Sequence, residues 1–133
     1  MEPASKILVV AGVANIGYAF LLGLPLASIR MKQSQAPRYL ILAHTGPIIS
    51  GAVLLSLVLA AGLSDLSSSL ETTAAWLLVG GTAAVASGDT INWLSGVQDG
   101  FAQRSRGWRL TALGGPVILA GLLILLVGVV KGV

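Results

Sequence analysis

The chain has 133 residues, of which 55% are hydrophobic and 10% charged, with a mean hydropathy of +0.89 and a net charge of +3. Roughly a quarter of the residues of a soluble domain are charged, so this composition excludes an ordinary water-soluble fold and indicates that the outer face lies in lipid. The absence of cysteine excludes disulfides, iron–sulfur clusters and cysteine nucleophiles, and the positive charges lie outside the apolar runs, which indicates membrane topology and no nucleic-acid partner.

Four apolar runs follow one another along the chain, each near or above the ~20 residues that cross a bilayer as a helix. They are Ile7–Ile29, Tyr39–Leu63, Thr72–Gly96 and Leu110–Val130. None alternates as a membrane strand would. We therefore predict an all-α integral membrane bundle of four transmembrane helices, forming a single domain over residues 1–133. The connections are short, so consecutive helices should be antiparallel neighbours.

Small residues recur every four positions on two of the runs, which is typical of faces where helices approach closely in lipid. On the first run they are Ala11, Asn15, Ala19, Gly23 and Ala27, and on the third they are Gly80, Ala84 and Gly88. The first run is too long for a signal-peptide core, so we expect it to remain in the membrane.

The basic residues predict the orientation. Loop one, Arg30–Arg38, and loop three, Val97–Arg109, each contain three basic residues: Arg30, Lys32 and Arg38, and Arg104, Arg106 and Arg109. The opposite side has only Lys6 and Lys131. By the positive-inside rule, loops one and three should be cytoplasmic, with both termini on the other side.

The second run contains the only histidine, His44, close to its loop-one end. Pro47 follows, and its missing N–H leaves the carbonyl of Ala43 without its helical donor. Either His44 is a buried side chain hydrogen-bonded to a neighbour, or it is functional, as ionisable residues within spans usually are. Arg38 lies six residues earlier, about 9 Å along a helix.

The third run contains the only carboxylate within a span, Asp89, with Asn92 three residues later on the same helical face. Antiparallel packing should bring both to the depth of His44. They could form a polar clamp between helices, or a site in which Asp89 orients His44 or polarises a ligand. We favour the second interpretation because three costly polar groups share one level. With one histidine and no cysteine, a transition-metal site built only from side chains is unsupported.

The segment Ala43-His44-Thr45-Gly46-Pro47 resembles the Ala-His-Ser-Gly-Pro stretch of bacterial styrene oxide isomerases, which are small four-span membrane proteins. Asp89, Asn92 and Trp93 are similar in content, though not in spacing, to a motif in that family's third span. Ser50 and Val97 stand where the family has an Asn and a Tyr that hold the epoxide oxygen.

The resemblance implies haem b ligated by His44, with Arg38 within reach of its propionates, in a homotrimer of the bacterial inner membrane. Asp89, Asn92 and Ser50 would then orient a small hydrophobic epoxide. A Lewis-acid iron would open the ring, and a 1,2-hydride shift would give a carbonyl compound. Two alternatives are a haem protein that binds ligands or handles haem without isomerisation, and a proton-coupled small-molecule transporter that uses Asp89.

Overall fold

Each of the four apolar runs forms a long helix in the computed structural model, which describes all 133 residues. The elements are α1 (Pro3–Lys32), α2 (Arg38–Gly62), α3 (Ser68–Leu94), α4 (Gly100–Gln103) and α5 (Arg106–Gly132). The helices α1, α2, α3 and α5 are long and apolar enough to cross a membrane. The predicted all-α bundle with four transmembrane helices is confirmed.

Loop three differs most from the prediction. The third span ends at Leu94 and not at Gly96, and Gly96 has a φ of +65° that suits glycine. The loop contains the additional short helix α4, capped by the Asp99 carboxylate, which accepts from the N–H groups of Phe101 and Ala102. The last span begins earlier than predicted, because the Ser105 hydroxyl caps α5 by accepting from the N–H of Trp108.

Contacts between the connections show which ends of the helices lie together. At one end, the backbone N–H of Gly100 in loop three donates to the Tyr39 hydroxyl at the start of α2, at 2.8 Å. At the other end, the N–H of Asp65 in loop two donates to the carbonyl of Gly128 near the C-terminus. Loops one and three therefore share a side, as the distribution of basic residues predicted.

The bundle consists of two tightly packed helix pairs, α1 with α2 and α3 with α5. The pair α3–α5 meets through small residues spaced seven apart. They are Ala74, Gly81 and Gly88 on α3, and Gly107, Gly114 and Gly121 on α5. A Cβ added at Gly114 would lie 2.7 Å from the carbonyl oxygen of Gly81, so the two backbones are in contact. A repeat of seven keeps one seam facing the partner when two helices cross at a shallow angle.

The predicted small-residue stripe on the third span was therefore wrong in part. Nothing lies within 4 Å of a Cβ added at Gly80, because the interface follows a spacing of seven and not of four. The stripe on the first span is correct over most of its length: Ala19 is fully buried, and Gly23 contacts the second helix. Ala27 is exposed.

The buried apolar cluster lies in the half of the bundle opposite to His44, Asp89 and Asn92, although Ser5 and Glu71 are also buried beside the cluster. The buried apolar cluster includes Leu8, Leu54, Leu78 and Leu125 and lies towards the loop-two end. The half nearer loops one and three contains His44, Asp89 and Asn92. The fold thus concentrates its hydrophobic core at one end and leaves the other end for polar chemistry.

Candidate functional site

His44 is attached to the first helix by a specific hydrogen bond. Its Nδ1 lies 2.8 Å from the carbonyl oxygen of Ala19. Since a carbonyl oxygen can only accept, Nδ1 carries the proton and Nε2 keeps its lone pair in the neutral ring. Gly23 allows this close approach, because a Cβ there would lie 3.1 Å from Cε1 of His44. The ring is therefore oriented by α1, with Nε2 available as an acceptor or ligand.

Asp89 lies in a different place, in a cleft between α2, α3 and α5 that we call the Asp89 cavity. Its volume is about 490 Å³. It is lined by Arg38, Tyr39, Leu42, Asp89, Asn92, Phe101, Trp108, Thr111, Ala112 and Gly115. A volume between ~300 and ~1,000 Å³ is ordinary for a small-molecule site. The cleft exists because α2 and α5 touch only slightly, whereas both pack against α3.

Asn92 is engaged structurally. It is almost completely buried, and its Oδ1 accepts a hydrogen bond from the Ser105 hydroxyl at 2.6 Å. The same hydroxyl accepts from the N–H of Trp108 and so caps α5. Asn92 therefore holds the end of loop three against α3, which is the clamp that the sequence left open as an alternative. It borders the Asp89 cavity while doing so.

Ser50 and Arg38 lie on the face of α2 that is turned towards Asp89 of α3. Ser50 donates a long hydrogen bond, 3.4 Å, to the carbonyl of Pro47 and lines a small cavity of about 70 Å³ that Asp89 also borders. Arg38 lines the larger cavity, and its guanidinium carbon lies 5.9 Å from the centre of the Tyr39 ring. Both residues are thus neighbours of Asp89.

The predicted convergence on His44 is not seen within one chain. His44 contacts α1, whereas Tyr39, Leu42 and Ser50 of the same helix face the clefts beside α3 and α5. The expectation that Asp89 orients His44 is corrected, because the Ala19 carbonyl has that role. Sequence spacing predicted a common depth, but depth along a helix does not specify direction around it.

Several contacts of this region were not predicted from the sequence. Phe101 and Trp108 wall the Asp89 cavity and pack edge to face, with ring centroids 6.0 Å apart. On the other side of α3, Tyr18 and Thr90 share a hydrogen bond of 2.5 Å that joins α1 to α3. In the sequence, Phe101 and Trp108 lie in the loop that follows the intramembrane residue Asp89. This position was the signal that could have identified them as neighbours of the carboxylate.

A protein-only metal centre has no support in the structure, since no three metal-ligating side chains lie together. Haem iron requires less, because the porphyrin supplies four ligands and a single histidine can supply the fifth. Metal-ligating histidines nearly always donate their other ring N–H to a carbonyl, a carboxylate or water. His44 satisfies this requirement. In comparisons with protein-family models, curated proteins and solved structures, nothing matched this chain.

Proposed function

We propose that this chain is a haem b protein of the membrane, with His44 as an axial ligand, and that it isomerises a small hydrophobic epoxide. The observation that carries the haem assignment is the hydrogen bond from Nδ1 of His44 to the Ala19 carbonyl. This bond selects the tautomer in which Nε2 can ligate a metal, and it limits rotation of the ring. The isomerase assignment rests on the resemblance of the His44 segment and on the Asp89 cavity.

The surroundings of His44 support a haem shared between chains. His44 lines neither the Asp89 cavity nor the small cavity beside Ser50, so its Nε2 does not open into either of them within one protomer. A cofactor on Nε2 would therefore be covered by a second copy of the chain. The proposal takes the homotrimer and the bacterial inner membrane from the resemblance, and the cytoplasmic side of loops one and three from their basic residues.

Bound haem would supply a Lewis-acidic iron able to polarise an epoxide oxygen, so that ring opening and a 1,2-hydride shift yield a carbonyl compound. The residues of the chain would position the reactants. Asp89 and Ser50 would contact the substrate in their cleft, while Asn92 would hold loop three in place. Because His44 and Asp89 face different sides of α2, a reaction involving both needs residues from two subunits.

One alternative is haem binding without isomerisation. The separation of His44 from Asp89 within one protomer favours it, since a haem protein that only binds ligands does not require the Asp89 cavity. Turnover of an aryl epoxide by the purified protein distinguishes the two functions.

The test of haem binding is an absorption spectrum of the detergent-purified protein and of three variants. We expect a Soret band in the wild type and its loss in His44→Ala. Gly23→Ala should shift the band or weaken haem retention, because the new methyl group would press on the imidazole at 3.1 Å. Gly17→Ala is the matched control on the same helix, since nothing lies within 4 Å of its added Cβ.

An unchanged spectrum in His44→Ala would remove His44 from the site, and a wild-type protein without haem would remove the proposal. The mass of the complex in mild detergent tests the shared cofactor. A haem-loaded monomer would show that a second chain is not needed.

A further inference from the structure

The Asp89 cavity combines an intramembrane carboxylate with aromatic walls, a pairing that haem binding at His44 does not need and that a neutral epoxide does not fully use. We propose that this cavity binds a small lipophilic ammonium ion of the arylalkylamine class. The inference concerns the cavity of a single chain and does not require haem.

The hydrogen bonding around the Asp89 carboxylate favours a cationic ligand. On α3, the Thr90 hydroxyl bonds to Tyr18 and to the Ala86 carbonyl, and the Oδ1 of Asn92 accepts from Ser105. The Asp89 carboxylate has no hydrogen bond to any of these groups and opens into the cavity. A carboxylate at membrane depth is costly unless a partner compensates it. A protonated amine supplies both the opposite charge and N–H donors.

The aromatic residues that line the cavity favour a ligand with an aryl group. Tyr39, Phe101 and Trp108 line the cavity together with Asp89. The Tyr39 hydroxyl is occupied by the N–H of Gly100, and Phe101 meets Trp108 edge to face, so these three residues offer the cavity aromatic rings and no free hydroxyl, while Asp89 and Arg38 supply its charged groups. Aromatic faces attract cations and also pack well against an aryl group.

Arg38 is the one cation that lines the cavity, and its position limits where a ligand can carry charge. It is the first residue of α2 and is exposed, and it lies over the Tyr39 ring. An ammonium group would be repelled beside Arg38 and stabilised deeper, beside Asp89. An anionic ligand would show the reverse preference. The sign of the preferred charge therefore decides which of the two residues controls the site.

The volume of the cavity is large enough for an arylalkylammonium ion. The cavity of about 490 Å³ exceeds the volume of a phenyl ring with a two-carbon chain, and nothing lies within 4 Å of a Cβ added at Gly115 in its wall. A larger side chain at Gly115 should therefore fill the cavity without displacing a helix. This gives a variant that blocks the site by volume and leaves Asp89 unchanged.

The experiment compares three probes of nearly equal size with different charge: 2-phenylethylammonium, 2-phenylethanol and phenylacetate. Calorimetric titrations are made on the purified full-length protein in detergent micelles, with empty micelles as the blank. The proteins are the wild type, Asp89→Asn, Gly115→Leu and the control Asp65→Asn, which removes an exposed carboxylate at the far end of the bundle.

We expect the ammonium probe to bind most tightly to the wild type and to Asp65→Asn. Because Asp89→Asn removes one charge-assisted hydrogen bond, it should weaken binding of the ammonium probe about 10- to 100-fold. Gly115→Leu should weaken both the ammonium and the alcohol. Thermal unfolding of each variant in the same detergent confirms that the fold is retained.

Three outcomes would overturn the proposal: tighter binding of phenylacetate, equal binding of all three probes, or ammonium binding that survives Asp89→Asn. Haem content is measured on the same samples. An ammonium ion that binds to haem-free protein supports the cavity inference even if the haem proposal fails. Haem on His44 without ammonium binding leaves only the haem proposal standing.

Discussion

The contact between α3 and α5 allows a sharp test of how this bundle is held together, because two adjacent glycines of α3 differ in their surroundings. An added Cβ at Gly81 would lie 2.5 Å from Cγ1 of Ile118, 2.8 Å from the carbonyl oxygen of Gly114 and 2.9 Å from the backbone nitrogen of Ile118. An added Cβ at Gly80 would meet nothing within 4 Å. The variants Gly81→Ala and Gly80→Ala each add one methyl group, but only the methyl group at Gly81 collides with α5.

The expected magnitudes follow from this geometry. In Gly81→Ala, α5 must retreat by roughly 0.6 Å to bring the new Cβ into ordinary contact with the carbonyl oxygen of Gly114, because backbone atoms cannot rotate away. Overpacking of this kind costs about 1–3 kcal/mol, and it also loosens neighbouring contacts along the seam. The gain in helix propensity from glycine to alanine is about 1 kcal/mol and offsets part of this cost. Gly80→Ala receives the propensity gain without the clash.

The assay is reversible unfolding in mixed micelles with increasing SDS, followed by circular dichroism. We expect Gly81→Ala to unfold at lower SDS than the wild type, and Gly80→Ala to unfold at equal or higher SDS. If Gly80→Ala were the more destabilised of the two, the seven-residue interface would be misplaced. Gly81→Ser, which adds a polar group of similar size, should behave as Gly81→Ala does.

Three further predictions test other contacts. Asn92→Ala should lower the free energy of unfolding by about 1–3 kcal/mol, because the half-buried Ser105 hydroxyl loses its acceptor; a double-mutant cycle with Ser105→Ala should then show strong non-additivity, and purely additive effects would contradict the clamp. Tyr18→Phe should cost about 0.6 kcal/mol, and at most about 1.7, because it removes one interhelical hydrogen bond with Thr90; no measurable loss in SDS unfolding would show that this bond is not a tie between α1 and α3. Cysteines introduced in loop three should be protected from an impermeant thiol reagent in intact cells while a cysteine at the C-terminus is labelled, and the reverse pattern would invert the topology.

The four spans and their pairing order could be predicted because they depend on properties that are local in the sequence. Length and apolarity of a run decide whether a helix can cross lipid, and short connections make consecutive helices neighbours. The asymmetry of basic residues likewise placed loops one and three together, which the hydrogen bond between Gly100 and Tyr39 confirms. Helix ends were less accurate, because they depend on caps such as Ser105 whose partners are set by the folded loop.

The sequence by itself determined which residues are costly in a membrane, namely His44, Asp89 and Asn92, and the approximate depth of each. Only the tertiary structure decided what each one faces. The direction of a side chain around its helix depends on how the helices rotate against one another. Here that rotation is governed by small residues at both close pairs, the seam of α3 with α5 and the contact of Gly12 on α1 with Gly51 on α2. As a result His44 bonds to α1, Asn92 clamps loop three at the border of the Asp89 cavity, and the carboxylate of Asp89 opens into that cavity.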